Sequence, residues 1–167
     1  PITVEGDEYW RDFAQDVDGW GSSLNEYARR TLRTALTYGH TGILVDYPPA
    51  VNQVTLADER AMGDRRPYFV NYSAPDILGW RQAAPYPTAP LSMLRLYEMV
   101  TVPEGEYGEV WKQQVRVITP QSFTVFQRED NSSAAGEPVP GLSGQNQLGT
   151  IPFVPLYTNR IGFLQSA

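Results

Sequence analysis

The most suggestive chemical spacing in this chain is Asp16-Val17-Asp18-Gly19-Trp20-Gly21, in which carboxylates at alternate positions run into glycines. A calcium loop opens this way, because the ion needs oxygen ligands at alternating positions and a bidentate carboxylate at the twelfth. Here Trp20 takes the third ligand position and Tyr27 the twelfth, which leaves an acidic helix end followed by glycines. His40 is the single histidine, so a triad or zinc site would have no second imidazole. Beside a helix C-terminus it gains from the dipole without any catalysis.

Cations are the other candidates. Arg29, Arg30 and Arg33 share a predicted helix face, while Arg65, Arg66 and Arg81 flank a central stretch. Of these, Arg29, Arg30, Arg33, Arg66 and Arg81 are the candidate contacts to a phosphate or a neighbouring subunit. Intramolecular pairing competes with that role, for example Glu26 with Arg30 at i,i+4. Asn71-Tyr72-Ser73 and Asn131-Ser132-Ser133 match the glycosylation sequon, though nothing else in the sequence suggests secretion. Asp7 and Glu8 start a helix and look solvated. No glycine-rich phosphate loop occurs, and nothing reads as an active site.

Composition narrows the class. At 167 residues the chain is long enough for a real core, and fourteen prolines with fourteen glycines imply many turns. A formal net charge of -6 disfavours nonspecific binding to DNA or anionic membrane, since both need clustered cations. With no cysteine, disulfides, thiol catalysis and thiolate metal sites are excluded. No apolar run approaches the ~18 residues of a membrane span, and no basic-then-apolar signal peptide is visible. The chain reads as an excised piece of something longer.

The elements that must position these residues fall into a helical half and a β-rich half. Tyr9, Trp10, Phe13, Ala14 and Val17 follow helical spacing, ended by Gly19 and Gly21. Ser23-Leu24-Asn25-Glu26 reads as a capping box, and Gly39 as the stop of a helix from about Leu24 to Tyr38. Its apolar stripe is predicted as Leu24, Ala28, Thr31, Leu32, Ala35 and Leu36. Thr41 to Tyr47 follows as a nearly all-apolar strand, expected to be central. Thr55 to Met62 reads either as a short helix ended by Gly63 or as a loop with one helical turn. Pro67 to Tyr72 is aromatic and β-branched, as a strand requires. Pro75 then suits the first turn of a short helix carrying Ile77, Leu78 and Trp80.

After an extended linker from Gln82 to Pro90, Leu91 to Thr101, Val110 to Ile118 and Phe123 to Arg128 form a three-stranded antiparallel meander. In its middle strand Trp111, Val115 and Val117 share one face, and Lys112, Gln114 and Arg116 the other. Residues 129–149 are expected as a mobile loop. Gly149 to Tyr157 is a last strand, which Pro152 and Pro155 confine to an edge or bulge. The expected fold class is α+β: one domain over 1–167, with N-terminal helices packed on a mixed or antiparallel sheet. Trp80 is expected in the core, with Arg81 in a local pair.

Three blocks carry a family resemblance. Gly42-Ile43-Leu44-Val45-Asp46-Tyr47-Pro48 resembles the "G-h-h-V-D-aromatic-P" segment of a family of tailed-phage portal proteins, a subgroup often known only as a domain of unknown function. Arg66 to Arg81 resembles that family's "RPY…YSAE.I..WR" block, and Gly149 to Leu156 is similar to its "IPFV" strand. Order and spacing also agree, with a β meander between the second and third blocks.

The resemblance implies a non-enzymatic subunit of a ring, usually a dodecamer, at one vertex of a phage or prophage capsid. DNA would pass through its channel without sequence-specific contact, and a terminase motor and head–tail connector proteins would dock on it. It also implies no cofactor, no membrane partner, and a virion location after assembly in the host cytoplasm. This piece lacks long apolar stem helices, a clip and a crown, and so resembles the mixed α/β wing. Alone it is expected to be monomeric or weakly associated. Another head–tail connector or tail binding module is the alternative. A carboxylate-metal hydrolase using Asp46 with Asp58 or Glu59 is a third reading, for which no converging ligand spacing is visible.

Overall fold

Both helices begin where the chain itself satisfies the orphan amides of a first turn. In the computed structural model, which describes residues 2–48, 66–86, 89–127, 137–138, 142–158, 160–162 and 165–166, α1 is Glu8–Gln15 and α2 is Leu24–Tyr38. The Asp7 side chain caps α1 by accepting from the Trp10 amide. Ser23 and Glu26 form the reciprocal capping box of α2, and Gly39 ends it in the left-handed conformation at φ 81°.

The strands follow in chain order. They are β1 (His40–Asp46), β2 (Tyr68–Ser73), β3 (Ile77–Gln82), β4 (Leu91–Glu104), β5 (Gly108–Ile118), β6 (Ser122–Gln127), β7 (Glu137–Pro138), β8 (Gly144–Gln145), β9 (Phe153–Tyr157), β10 (Arg160–Gly162) and β11 (Gln165–Ser166). A single 3-10 turn, Ala74–Asp76, separates β2 from β3. The fold is α+β with antiparallel sheets. It is organised in two compact units, Pro1–Ala74 with Pro152–Ala167, and Pro75–Ile151.

In the first unit the sheet order is β2-β1-β9, so the apolar strand is the central one and the proline-bearing strand an edge, as the sequence predicts. Register runs Leu44 opposite both Val70 and Phe153. At Gly42 a Cβ would fall inside the van der Waals radius of the Phe153 ring, so glycine permits the close approach of β9. Helix α2 packs on β1 and β2. Its buried side is Tyr27, Thr31 and Ala35, whereas Leu32 and Leu36 of the predicted stripe point outward. Two contacts turn the helix that way. The Tyr27 ring lies 5.7 Å from that of Phe69, and Asn71 Nδ2 donates to Thr31 Oγ1 at 2.9 Å. The same Asn71 reaches the buried Thr41, whose hydroxyl lies 2.5 Å from Asn71 Oδ1 and 2.7 Å from the Tyr72 carbonyl. A polar network that satisfies its own members can therefore orient a helix against an apolar strand.

The second unit is built on the path β3-β4-β5-β6-β7, with β8 paired to β6 as well. The predicted meander forms its middle. Ile77, Leu78 and Trp80, predicted as the apolar side of a short helix, instead lie on the edge strand Ile77–Gln82 that pairs with β4, Trp80 opposite Leu94. Pro75 occupies only the 3-10 turn before it, and the β4 backbone offers the ladder partners that keep the chain extended. Within the stretch expected as a loop over 129–149, β7 and β8 are strands, and the Asn146 side chain donates to the carbonyls of Thr119 and Thr150. The predicted helix at 55–62 lies outside the described residues.

Cross-strand pairing places Leu94, Leu96, Ile118 and Val125 on one buried face of this sheet. That face also carries Gln114 and Arg116, whereas Trp111 stands 65 % exposed on the opposite one. The two residue sets predicted to share a face of β5 do so, and the polar set is the one on the buried side. Mutual satisfaction makes that burial tolerable: Gln114 Nε2 donates to Glu98 Oε2 at 2.5 Å, and Gln127 Nε2 donates to Gln114 Oε1 at 3.1 Å. Arg116 Nε lies 3.0 Å from Glu98 Oε1, which neutralises both charges.

Candidate interaction surface

The sequence's acidic-glycine segment becomes the most fully constructed loop in the first unit. Asp16 Oδ1 accepts from the amides of Gly19 at 2.9 Å and Gly21 at 3.0 Å. Asp18 Oδ1 accepts from the amides of Trp20 at 3.0 Å and Ser22 at 3.2 Å. Glycine is required twice, because Gly19 and Gly21 sit at φ 75° and 85°, a region that penalises a Cβ. Between the two carboxylates Val17 is wholly buried, and its carbonyl accepts from the Phe69 amide at 2.8 Å. The loop therefore joins β2 while its tip projects.

Two of the candidate arginines complete this loop from outside. Arg30 Nη2 reaches Asp18 Oδ2 at 2.7 Å, and Arg66 Nη2 reaches Asp16 Oδ2 at 2.6 Å. Arg30 thus pairs across twelve residues with Asp18, not with Glu26 one turn away, whose carboxylate closes the capping box. Burial works to raise the Asp18 pKa, yet Arg30, Ser22 and two backbone amides together hold it well below the usual carboxylate range. Every carboxylate oxygen of the pair is engaged by protein donors, so the arrangement stores no free ligand set for a cation. What it does is display Trp20, which is 91 % exposed on a backbone fixed from four sides.

The remaining candidates lie elsewhere. Arg29 and Arg33 are exposed on the outward side of α2 and make no ion pair among the described residues. Arg81 is exposed on β3, and the predicted local pair does not form among the described residues; Trp80 beside it is half-buried, not core. His40 opens β1, its ring 6.1 Å from that of Tyr157, and burial lowers its pKa. The expected dipole stabilisation of an imidazolium is therefore outweighed. Asp46 accepts from the Tyr68 hydroxyl at 3.3 Å and from the Tyr47 amide, while Asp58 and Glu59 lie outside the described residues. Asn71 of the first sequon is spent in the Thr31–Thr41 network, and Asn131 of the second lies outside the described residues. No group of three or more His, Asp or Glu that could hold a metal occurs among the described residues. No helix among them is long and apolar enough to cross a membrane.

Sequence reasoning found the arginines but missed Trp20 as the displayed group. The available signal was the pair of glycines flanking it, which forces the intervening residue outward once both aspartates turn in to cap the loop. No protein family matches the chain, and no curated protein matches it.

Proposed function

We propose that this chain is the wing region of a phage or prophage portal subunit, a structural piece of the ring through which DNA is packaged and ejected. The observation that carries the reading is where the three resembling blocks fall. The first supplies β1, the second supplies β2 and runs on into β3, and the third supplies β9, so that part of each block lies in the sheet β2-β1-β9. Three segments apart in the chain thus each contribute a strand to one sheet, which supports reading them together. The side chains also suit a scaffold. The arginines nearest the acidic loop are spent on internal pairs, and the net charge of -6 suits a conduit that must not grip the polyanion it passes.

In this reading the partners are further copies of the same subunit, a terminase during packaging and head–tail connector proteins afterwards. The work is positional, with no cofactor and no bond-making step. Electron microscopy of the full-length gene product tests it. Annular particles with a central hole are expected; dispersed small particles at all concentrations would refute the reading.

A further inference from the structure

We infer that the outward face of α2 receives α1 of a second copy of this chain, in a head-to-tail contact that rests on the annular reading above. The receiving face is Arg29, Leu32, Arg33 and Leu36, at i, i+3, i+4 and i+7. Leu32 is 51 % exposed and Leu36 67 %, so two leucines of a well-capped helix lie open to solvent. The flanking arginines are equally unspent. Arg30, one residue away, is committed to Asp18, whereas Arg29 and Arg33 make no ion pair among the described residues. An apolar strip bordered by two cations one turn apart asks for its complement: an apolar group bordered by two anions at the same spacing.

Helix α1 presents that pattern. None of its residues is buried. Glu8 and Asp12 are exposed one turn apart, and Tyr9 between them is 49 % exposed. Residues four apart on a helix are neighbours at ~6 Å, so both carboxylates can meet both guanidiniums at once when the two helices lie side by side. Tyr9 then covers Leu32 and Leu36. Phe13, one turn beyond Tyr9 on the same side, packs 5.2 Å from the Phe69 ring, which turns Glu8 and Asp12 outward with the exposed part of Tyr9 at their border. Each copy carries one donor face and one different receiving face. Such a heterologous contact propagates from copy to copy and closes into a ring when the rotation allows.

The absence of native cysteine permits a direct test by disulfide trapping. Chains carrying Leu36→Cys are mixed with chains carrying Tyr9→Cys and oxidised. Mixed dimer at least ten-fold above that formed with an exposed control, Glu109→Cys in place of Tyr9→Cys, is the expected result. Adding Arg29→Glu and Arg33→Glu to the first chain lowers it to the control level. Adding Glu8→Lys and Asp12→Lys to the second chain as well restores it, because the complementarity is then reversed on both sides. Circular dichroism confirms that each variant keeps its helices. Trapping at control level, or trapping indifferent to charge reversal, overturns the contact. Annular particles from the full-length product together with control-level trapping would sink the contact and leave the ring standing; strong trapping without annular particles would do the reverse.

Discussion

Asp18 shows how one buried carboxylate can fix a loop. It bonds two amides and a guanidinium, and its pKa is depressed on folding. A depressed pKa adds stability that is whole above the ordinary value of 3.8 and is lost as the pH falls through and below it. Asp18→Asn should therefore lower stability by about 2 kcal/mol at neutral pH in urea unfolding, and flatten the acid limb of the stability profile. An unchanged acid limb would mean that the loop is held by other contacts. Tyr27 works at the other end of the scale. Burial pushes its phenol up to about 12, so the neutral form is favoured in the fold. That contribution is whole below pH 10 and is lost as the pH rises towards 12. Tyr27→Phe should lose less stability than the parent over that interval when both are followed by thermal melting. At this scale the sequence was only partly legible: the aspartates and arginines stood out as charges, but their pairing across the fold did not.

At the scale of elements, what could be read was what is decided locally. The capping box at Ser23 and Glu26 and the left-handed Gly39 gave α2 its bounds to the residue, since both signals act within one turn. Pro152 and Pro155 placed β9 on an edge, because proline removes a ladder donor. Misreadings arose where a tertiary partner decides. Ile77–Gln82 has the apolar weight of a helix start but becomes a strand once β4 offers an open edge. In β5 the alternation of Trp111, Val115 and Val117 against Lys112, Gln114 and Arg116 marked the two faces but not which one turns inward, since that depends on the cross-strand partners Glu98 and Gln127, which satisfy the polar residues. That network makes a further prediction. Removing one partner, as in Glu98→Leu, should cost about 3 kcal/mol by taking the carboxylate away from both Arg116 and Gln114 in a mostly buried place. The double variant Glu98→Leu with Arg116→Leu should cost less than the single one in chemical denaturation. Additive losses would show that the two side chains act independently.

For the whole molecule, the α+β class was legible from the change of hydrophobic period after Gly39, where the capped helix gives way to strands. The division into two compact units was not, since no linker composition marks Ala74 or Ile151. Among the exposed apolar side chains are Trp20 on its braced loop, and Leu32 and Leu36 beside Arg29 and Arg33. On its own the chain should be monomeric or weakly associated, with sedimentation velocity showing a small concentration-dependent species. The full-length gene product bears most directly on the scaffold reading, and native mass spectrometry weighs its assembly. One closed, high-order homo-oligomer of about twelve subunits is expected from the resemblance and from head-to-tail symmetry. A product that stays monomeric or dimeric at every concentration would contradict it.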